Sequence, residues 1–178
     1  MTACTVCHQW HGIKHNHFTC FYTNADSLLN KRGEFAAAST HHAPNVICVN
    51  EVVPKKAQMK AQESEFQLEG FDAHTNLPTC KRGVIIYTRK HLKTSPVNNL
   101  PQDFDESCCV EINLTSPDKL LVGCIYRSQN SDKENNLNLM RGIKDISHRK
   151  TYSRILMCED FNLPEGKWTD TAHLPSGR

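Results

Sequence analysis

The sequence has no long apolar run, no excess of one charge and little glycine or proline, and each absence excludes a class of protein. Mean hydropathy is −0.54, and no apolar stretch approaches the ~18 residues of a membrane helix, so we expect no membrane span. Twenty-one Lys+Arg against 19 Asp+Glu give a charge of +2, which neither demands nor forbids a nucleic-acid partner. Eight glycines and eight prolines in 178 residues exclude collagen-like and linker-like chains.

The chain also does not open with a basic segment followed by an apolar one. We therefore expect a protein that stays inside the cell, in the nucleus or the cytoplasm. It has nine cysteines, an odd number, and Cys48, Cys124 and Cys158 lie inside apolar runs. A thiol in such a run behaves as a small buried hydrophobic group, so we expect the cysteines to be mostly reduced.

Residues 1–17 differ in composition from the rest of the chain. They hold four of the ten histidines and no apolar period, which predicts a disordered Cys/His-rich tail ahead of a domain over residues 18–178. Two other interpretations stay open. Cys4, Cys7 and His8 match the Cys-x-x-Cys-His pattern of haem attachment. The two cysteines also form a candidate zinc half-site, whose two remaining ligands would come from among His11, His15, His17 and Cys20.

The rest of the chain alternates short apolar runs with polar stretches, and this pattern predicts an α/β (α+β) domain. Candidate strands cover residues 18–22, 46–49, 84–87, 108–114, 120–126 and 155–158. Ser131 and Glu134 have the spacing of a capping box and predict a helix over residues 132–147. Asp26 is placed to cap a second helix, and a third, polar helix is expected over residues 54–66.

Four of the predicted strands deliver polar side chains where their apolar runs stop. Asn24 and Asp26 follow the first, and Glu51 follows the second. Tyr126 ends the third, and Asp160 follows the fourth. If these strands share a direction, their ends bring together carboxylate and amide oxygens, which suit Mg²⁺, Mn²⁺ or Ca²⁺ rather than zinc. The alternative is that the residues belong to ordinary solvated turns.

Five motifs appear in a fixed order along the chain. They are Phe21-Tyr22-Thr23-Asn24-Ala25-Asp26-Ser27-Leu28, Pro44-Asn45-Val46-Ile47-Cys48-Val49-Asn50-Glu51, Gly83-Val84-Ile85-Ile86-Tyr87, Leu121-Val122-Gly123-Cys124-Ile125-Tyr126-Arg127 and Ile155-Leu156-Met157-Cys158-Glu159-Asp160-Phe161-Asn162. With them the chain resembles the endonuclease/exonuclease/phosphatase family over residues 18–168, and within it the endonuclease domain of non-LTR retrotransposons. The resemblance implies two packed β-sheets flanked by helices. It also implies hydrolysis of phosphodiester bonds in DNA with Mg²⁺ or Mn²⁺ as cofactor.

The resemblance further implies a metal site made from three residues of this chain. Glu51 would be a metal ligand, and Asn24 would lie at both the metal and the phosphate. Asp26 falls where some relatives have a further carboxylate at the metal. Charge from the ion would assist attack on an anionic phosphodiester.

The remaining implied residues act on the phosphate and the water. Asp160 would orient or deprotonate the attacking water, as a carboxylate within hydrogen-bond reach can do. Tyr126 would contact the scissile phosphate, and Asn162 would hold its oxygens. These two neutral donors, together with Asn24, can steady developing charge without adding repulsion.

The sequence departs from the family pattern after the last motif. The family has a late strand that ends in Ser-Asp-His, but only 16 residues follow Asn162, and their one histidine is His173. We therefore expect a C-terminally incomplete domain that is impaired as a nuclease. The alternatives are a non-catalytic retroelement remnant and a zinc- or DNA-binding interaction module.

Two departures fall next to the motifs. Glu159 precedes Asp160 where relatives usually have glycine, and two adjacent carboxylates are expected to crowd the metal site. The third motif begins with a single glycine, Gly83, where relatives have more, and Lys81 and Arg82 precede it.

Basic residues give a weaker signal for DNA. Lys55, Lys56 and Lys60 either contact a DNA backbone or lie on a solvated helix face. Arg127 is a candidate phosphate ligand through its position after Tyr126.

Overall fold

The computed structural model describes residues 2–8, by their backbone, and residues 18–56, 61–77, 82–97, 104–114 and 117–162. Within these ranges the strands are β1 (Thr2–His8), β2 (Phe18–Asn24), β3 (Val46–Asn50), β4 (Phe71–Thr75), β5 (Val84–Arg89), β6 (Thr94–Pro96), β7 (Ser107–Asn113), β8 (Lys119–Tyr126) and β9 (Arg154–Asp160). The helices are α1 (Arg32–His42) and α2 (Lys133–His148), with short 3-10 turns at Leu28–Lys31 and Glu63–Phe66. Neither α-helix is long and apolar enough to cross a membrane.

The strands form two mixed sheets, as the predicted fold class requires. The first has the order β1-β2-β3-β5-β4, and the second has the order β6-β7-β8-β9. Each sheet contains one parallel pair, β2 with β3 and β8 with β9, and the other neighbours are antiparallel. Since α1 connects the first pair and α2 connects the second, each sheet carries a strand–helix–strand unit.

The main core lies between the two sheets. β3 is buried at all of its five positions and β8 at seven of its eight, which explains why both read as nearly continuous apolar runs. Cys20 of β2 and Cys158 of β9 meet across this interface with their Sγ atoms 3.8 Å apart. The six cysteines whose side chains the structure describes are free thiols.

The two helices cover the outer faces of the sheets. Phe35 of α1 packs on Tyr87 of the first sheet, with ring centroids 5.6 Å apart. On the second sheet, Leu139 of α2 packs with Ile125, while Ile146 packs with Leu121. The helix expected over residues 132–147 is thus present as α2, with an apolar stripe that faces the sheet.

Helix starts differ from the sequence prediction. α2 is capped by Asp132, whose Oδ1 accepts from Asn135 N at 2.8 Å, so Ser131 is not the cap and the expected capping box is absent. Asp26 does not cap α1, which begins six residues later. The expected helix over residues 54–66 was wrong: outside 57–60, which are not described, the structure there has turns and a single 3-10 turn.

The predicted N-terminal tail contains a strand. Residues 2–8 form β1, which pairs antiparallel with β2, while residues 9–17 lie outside the described residues. The side chains of the haem and zinc interpretations therefore go undescribed, apart from Cys20, which is buried in the main core. Strands β4 and β6 were also missed, because they are short and only partly buried.

Candidate active site

The ends of the two parallel strand pairs meet at one edge of the molecule. In the first sheet Asn24 and Asn50 are the last residues of β2 and β3 and lie side by side. In the second sheet Tyr126 and Asp160 close β8 and β9 in the same way. Asn24 Nδ2 donates to Asp160 Oδ2 at 2.9 Å and so joins the two sheets at this edge.

Four of the six predicted site residues belong to one group of interacting side chains. Glu51, which follows β3, lies close enough to Tyr126 and Asn24 for both to lower its pKa. Asn24 reaches Asp160 as well, so Asn24 is the central link of the group. The structure therefore brings Asn24, Glu51, Tyr126 and Asp160 together, as the convergence of strand ends predicts.

Arg82 is a member of this site that the sequence analysis did not select. Its Nη2 lies 2.9 Å from Asp26 Oδ1 and also forms an ion pair with Glu51 Oε2. Its Nη1 donates to Val53 O at 2.7 Å. The Arg82 and Glu51 side chains are 9% and 11% exposed, whereas Asp26 is 71% exposed. The signal for it in the sequence was a basic residue next to Gly83.

The ionisation of the site follows from these contacts. Burial by itself raises the pKa of Glu51, but hydrogen bonds from Arg82, Tyr126 and Asn24 outweigh it and leave the pKa below its ordinary value. The hydrogen bond from Arg82 also lowers the pKa of Asp26. Burial, followed by the bond to Glu51, raises the pKa of Tyr126, so the phenol keeps its proton.

Backbone strain is concentrated in the same loops. Positive φ angles occur at Asp26 (40°), Ser27 (80°), Glu51 (53°) and Asn162 (43°), which are four of the five such non-glycine residues described. Strained conformations of this kind persist where surrounding contacts fix them, and they cluster at functional sites. Here the Ser27 N–H donates to Glu51 O at 2.8 Å, so the two strained loops hold one another.

The loop after β9 is held by Arg127, which does not belong to the group of four side chains. Arg127 Nη1 donates to Phe161 O at 3.2 Å and to Asn162 O at 2.9 Å, and its Nε donates to Asn136 Oδ1 at 2.7 Å. Asn162 Nδ2 returns a bond to Arg127 O at 3.0 Å. Asn162 therefore lies beside the site with one amide hydrogen engaged. Arg127 is buried as a clamp on this loop, which was not its expected role at a phosphate.

Asn50 supports the site from below. Its Nδ2 donates to Ile125 O at 2.9 Å and to Tyr22 Oη at 3.1 Å, and its Oδ1 accepts from Cys124 Sγ at 3.1 Å. Asn50 is fully buried, and these bonds connect β3 of one sheet with β8 of the other. Asn50 was not predicted as a site residue, because a buried amide and a turn amide look alike in sequence.

Glu159 does not crowd the site. It is exposed, and because side chains alternate along a strand, it lies on the face of β9 opposite Asp160 and Cys158. The expectation of two competing carboxylates was therefore wrong.

A groove with a volume of about 670 Å³ opens beside Tyr126. Its walls carry one basic residue, Lys55, and the acidic residues Asp105, Glu106 and Asp132. Lys55 and Lys56 are exposed, whereas Lys60 lies outside the described residues.

The donor set of the site fits a hard divalent cation. Glu51 and Asp26 each place a carboxylate oxygen against the same nitrogen of Arg82, so one cationic centre already lies between them. Asn24 Oδ1 is close by, since it accepts from Asp26 N at 3.1 Å. Carboxylate and amide oxygens are the ligands that Mg²⁺ and Mn²⁺ take.

Comparison with protein-family models and with curated proteins gave no match. Solved structures do match. The endonuclease domain of TRAS1, a telomere-specific non-LTR retrotransposon, superposes with a TM-score of 0.57 at 14% identity over 82% of this chain and 59% of that one. D. rerio TDP2 complexed with a single-strand DNA product gives 0.55 at 15% identity, over 82% and 61%. An AP endonuclease from Archaeoglobus fulgidus gives 0.51 at 14%, over 82% and 58%.

The chain has the endonuclease/exonuclease/phosphatase fold. It spans 58–61% of the length of these three structures. The fold that the ordered motifs implied is thereby confirmed, and the roles of the six predicted site residues remain predictions.

Proposed function

We propose that this chain is a retrotransposon-type endonuclease domain, a Mg²⁺- or Mn²⁺-dependent phosphodiesterase that acts on DNA. The observation that carries the proposal is the meeting of Asn24, Glu51, Tyr126 and Asp160 at one edge, where four strand ends of two sheets come together. DNA as the substrate class is supported by two of the matched structures, a retrotransposon endonuclease domain and a protein with a single-strand DNA product.

Three side chains would hold the metal ion. Glu51 and Asp26 offer carboxylate oxygens, and Asn24 offers an amide oxygen. When bound, the ion supplies positive charge that assists attack on the phosphate and stabilises the leaving oxygen.

Asp160 is the proposed base. Asn24 donates to its Oδ2 and fixes the orientation of the carboxylate. The carboxylate can then accept a proton from the attacking water, a role that contributes about 10²–10⁴-fold to the rate in enzymes.

Tyr126 and Asn162 are the proposed donors to phosphate oxygens. The raised pKa of Tyr126 keeps its hydroxyl protonated, so its one O–H can turn from Glu51 to a phosphate oxygen and donate there without bringing negative charge to an anionic substrate. Asn162 uses one amide hydrogen on Arg127 O and has a second for the substrate.

Nicking of supercoiled plasmid by the full 178-residue chain tests the proposal. We expect nicking in Mg²⁺ or Mn²⁺ that stops with a chelator and falls about 10²-fold or more in Asp160→Asn. Asp145→Asn, which changes an exposed carboxylate of α2, is the matched control and should nick as the wild type does. Nicking that survives Asp160→Asn would contradict the assignment.

A non-catalytic DNA-binding role is the second candidate. The observation that favours it is Arg82, which already neutralises Glu51 in this structure. Fluorescence anisotropy with a labelled DNA duplex separates the two. Metal-independent binding without any nicking supports the second candidate, whereas metal-dependent nicking supports the first.

A further inference from the structure

A single nitrogen of Arg82 occupies the point between the two carboxylates of the site. Nη2 is 2.9 Å from Asp26 Oδ1 and is paired with Glu51 Oε2. The loops that carry these carboxylates follow β2 and β3. Arg82 therefore holds together the two loops that a metal ion would hold.

A guanidinium and a divalent ion cannot use these oxygens at the same time. Mg²⁺ binds carboxylate oxygens at about 2.0–2.1 Å and needs a near-octahedral shell around it. A guanidinium nitrogen within hydrogen-bond distance of the same oxygens would lie in that shell and repel the ion. Binding of the ion to Glu51 and Asp26 thus requires Arg82 Nη2 to leave.

The backbone of Arg82 is fixed beneath the site. Val53 N donates to Arg82 O at 2.8 Å, and the guanidinium returns a bond from Nη1 to Val53 O at 2.7 Å. Gly83, with φ of 72°, turns the chain into β5 immediately afterwards. Exchange of the cation then needs only a change in the Arg82 side chain and no refolding of the loop.

The site also contains unsatisfied polar atoms. Among the described residues, two buried side-chain polar atoms lack a hydrogen-bond partner, Arg82 Nε just before β5 and Ser27 Oγ in the loop after β2. Buried donors are nearly always paired. The unpaired Nε therefore indicates that the ion pairs with the two carboxylates, and not a full set of hydrogen bonds, fix the position of the guanidinium. The guanidinium is therefore held by its two carboxylates and is incompletely satisfied by the rest of its surroundings.

We propose that Arg82 is a displaceable internal cation. Its guanidinium occupies the Glu51–Asp26 site when no divalent ion is bound and leaves when one binds, which weakens the affinity of the chain for Mg²⁺. This inference rests on the proposed function, because it takes Glu51 and Asp26 as ligands of the ion.

Calorimetric titration of the full chain with MgCl₂ tests the displacement. Arg82→Met keeps a long side chain without charge, and we expect it to bind Mg²⁺ about tenfold more tightly than the wild type, since a competing cation is gone. Arg82→Lys keeps a charge and should stay close to the wild type. Arg141→Met removes an exposed arginine of α2 and controls for the change in net charge.

A measurement on the wild-type chain covers the case in which Arg82→Met does not fold. The guanidinium NMR signals of Arg82, assigned by their loss in Arg82→Lys, should shift as Mg²⁺ is added. Signals that stay unchanged at saturating Mg²⁺, or equal affinity in Arg82→Met and wild type, would overturn the displacement and leave the proposed metal site standing. If neither protein binds Mg²⁺, the metal site and the displacement both fail.

Discussion

The site has one half in each sheet, and each half buries one arginine, but the two arginines have different partners. As whole residues, Arg82 and Arg127 are 7% and 6% exposed. Arg82 binds the carboxylates of Glu51 and Asp26, whereas Arg127 binds two main-chain carbonyls of the loop after β9 and the Asn136 amide oxygen. Arg82 thus neutralises carboxylate charge at the site, and Arg127 donates hydrogen bonds to uncharged main-chain carbonyls.

The two arginines therefore differ in whether their contacts can be exchanged. Carboxylates have an alternative partner, a divalent ion, so the contacts of Arg82 can be exchanged. The partly buried main-chain carbonyls of Phe161 and Asn162 need a donor whether or not an ion is bound, so the contacts of Arg127 need not be exchanged. We therefore expect substitution of Arg82 to change metal affinity and substitution of Arg127 to change stability.

Arg127→Met gives the largest expected loss of stability. The substitution leaves Phe161 O and Asn162 O without their donor, and hydrogen bonds that involve a charged group are stronger than those between neutral groups. We expect the free energy of unfolding to fall by about 3 kcal/mol in urea denaturation. Mg²⁺ affinity per folded molecule should not change. A tighter Mg²⁺ complex in Arg127→Met would erase the contrast with Arg82.

Asn50→Ala tests the joint between the two halves. It removes the donor to Ile125 O and the acceptor of the Cys124 thiol, both fully buried. We expect a loss of about 2 kcal/mol in the free energy of unfolding, measured in the same way. Asn30→Ala, at an exposed position of the first 3-10 turn, is the matched control and should cost far less. Equal losses in the two variants would show that Asn50 does not link the sheets energetically.

The polar strand ends could be predicted from the sequence because they depend on local pattern. A strand covered on both faces reads as an apolar run, and the first polar residue after it marks the edge of the sheet. Asn24, Glu51, Tyr126 and Asp160 were found in this way. The convergence then required only that the strands run in the same direction at that edge.

Arg82 could not be found by the same reasoning. It lies 31 residues from Glu51 in sequence, and the contact exists because the loops after β3 and before β5 pair through Val53 and Arg82. Local pattern contains no information on such pairing. The same limit explains the missed strands β4 and β6, whose few buried positions give no readable alternation.

The edge strands β4 and β6 offer a third way to compare the two sheets, with the smallest expected effect. His74 of β4 lies there with its Nε2 3.2 Å from Thr88 Oγ1 of the first sheet and 3.4 Å from Thr94 Oγ1 of the second.

Burial lowers the pKa of His74 below its ordinary value of 6.5, against an opposing effect of Asp72. The unfolded chain therefore binds more protons than the folded one as the pH falls through 6.5, and stability decreases there. We expect His74→Gln to remove at most about 1 kcal/mol of this pH dependence in denaturation curves measured between pH 7.5 and about pH 5.5. A His74-dependent part of the stability that rises on acidification would show instead that the imidazole gains its proton in the folded state.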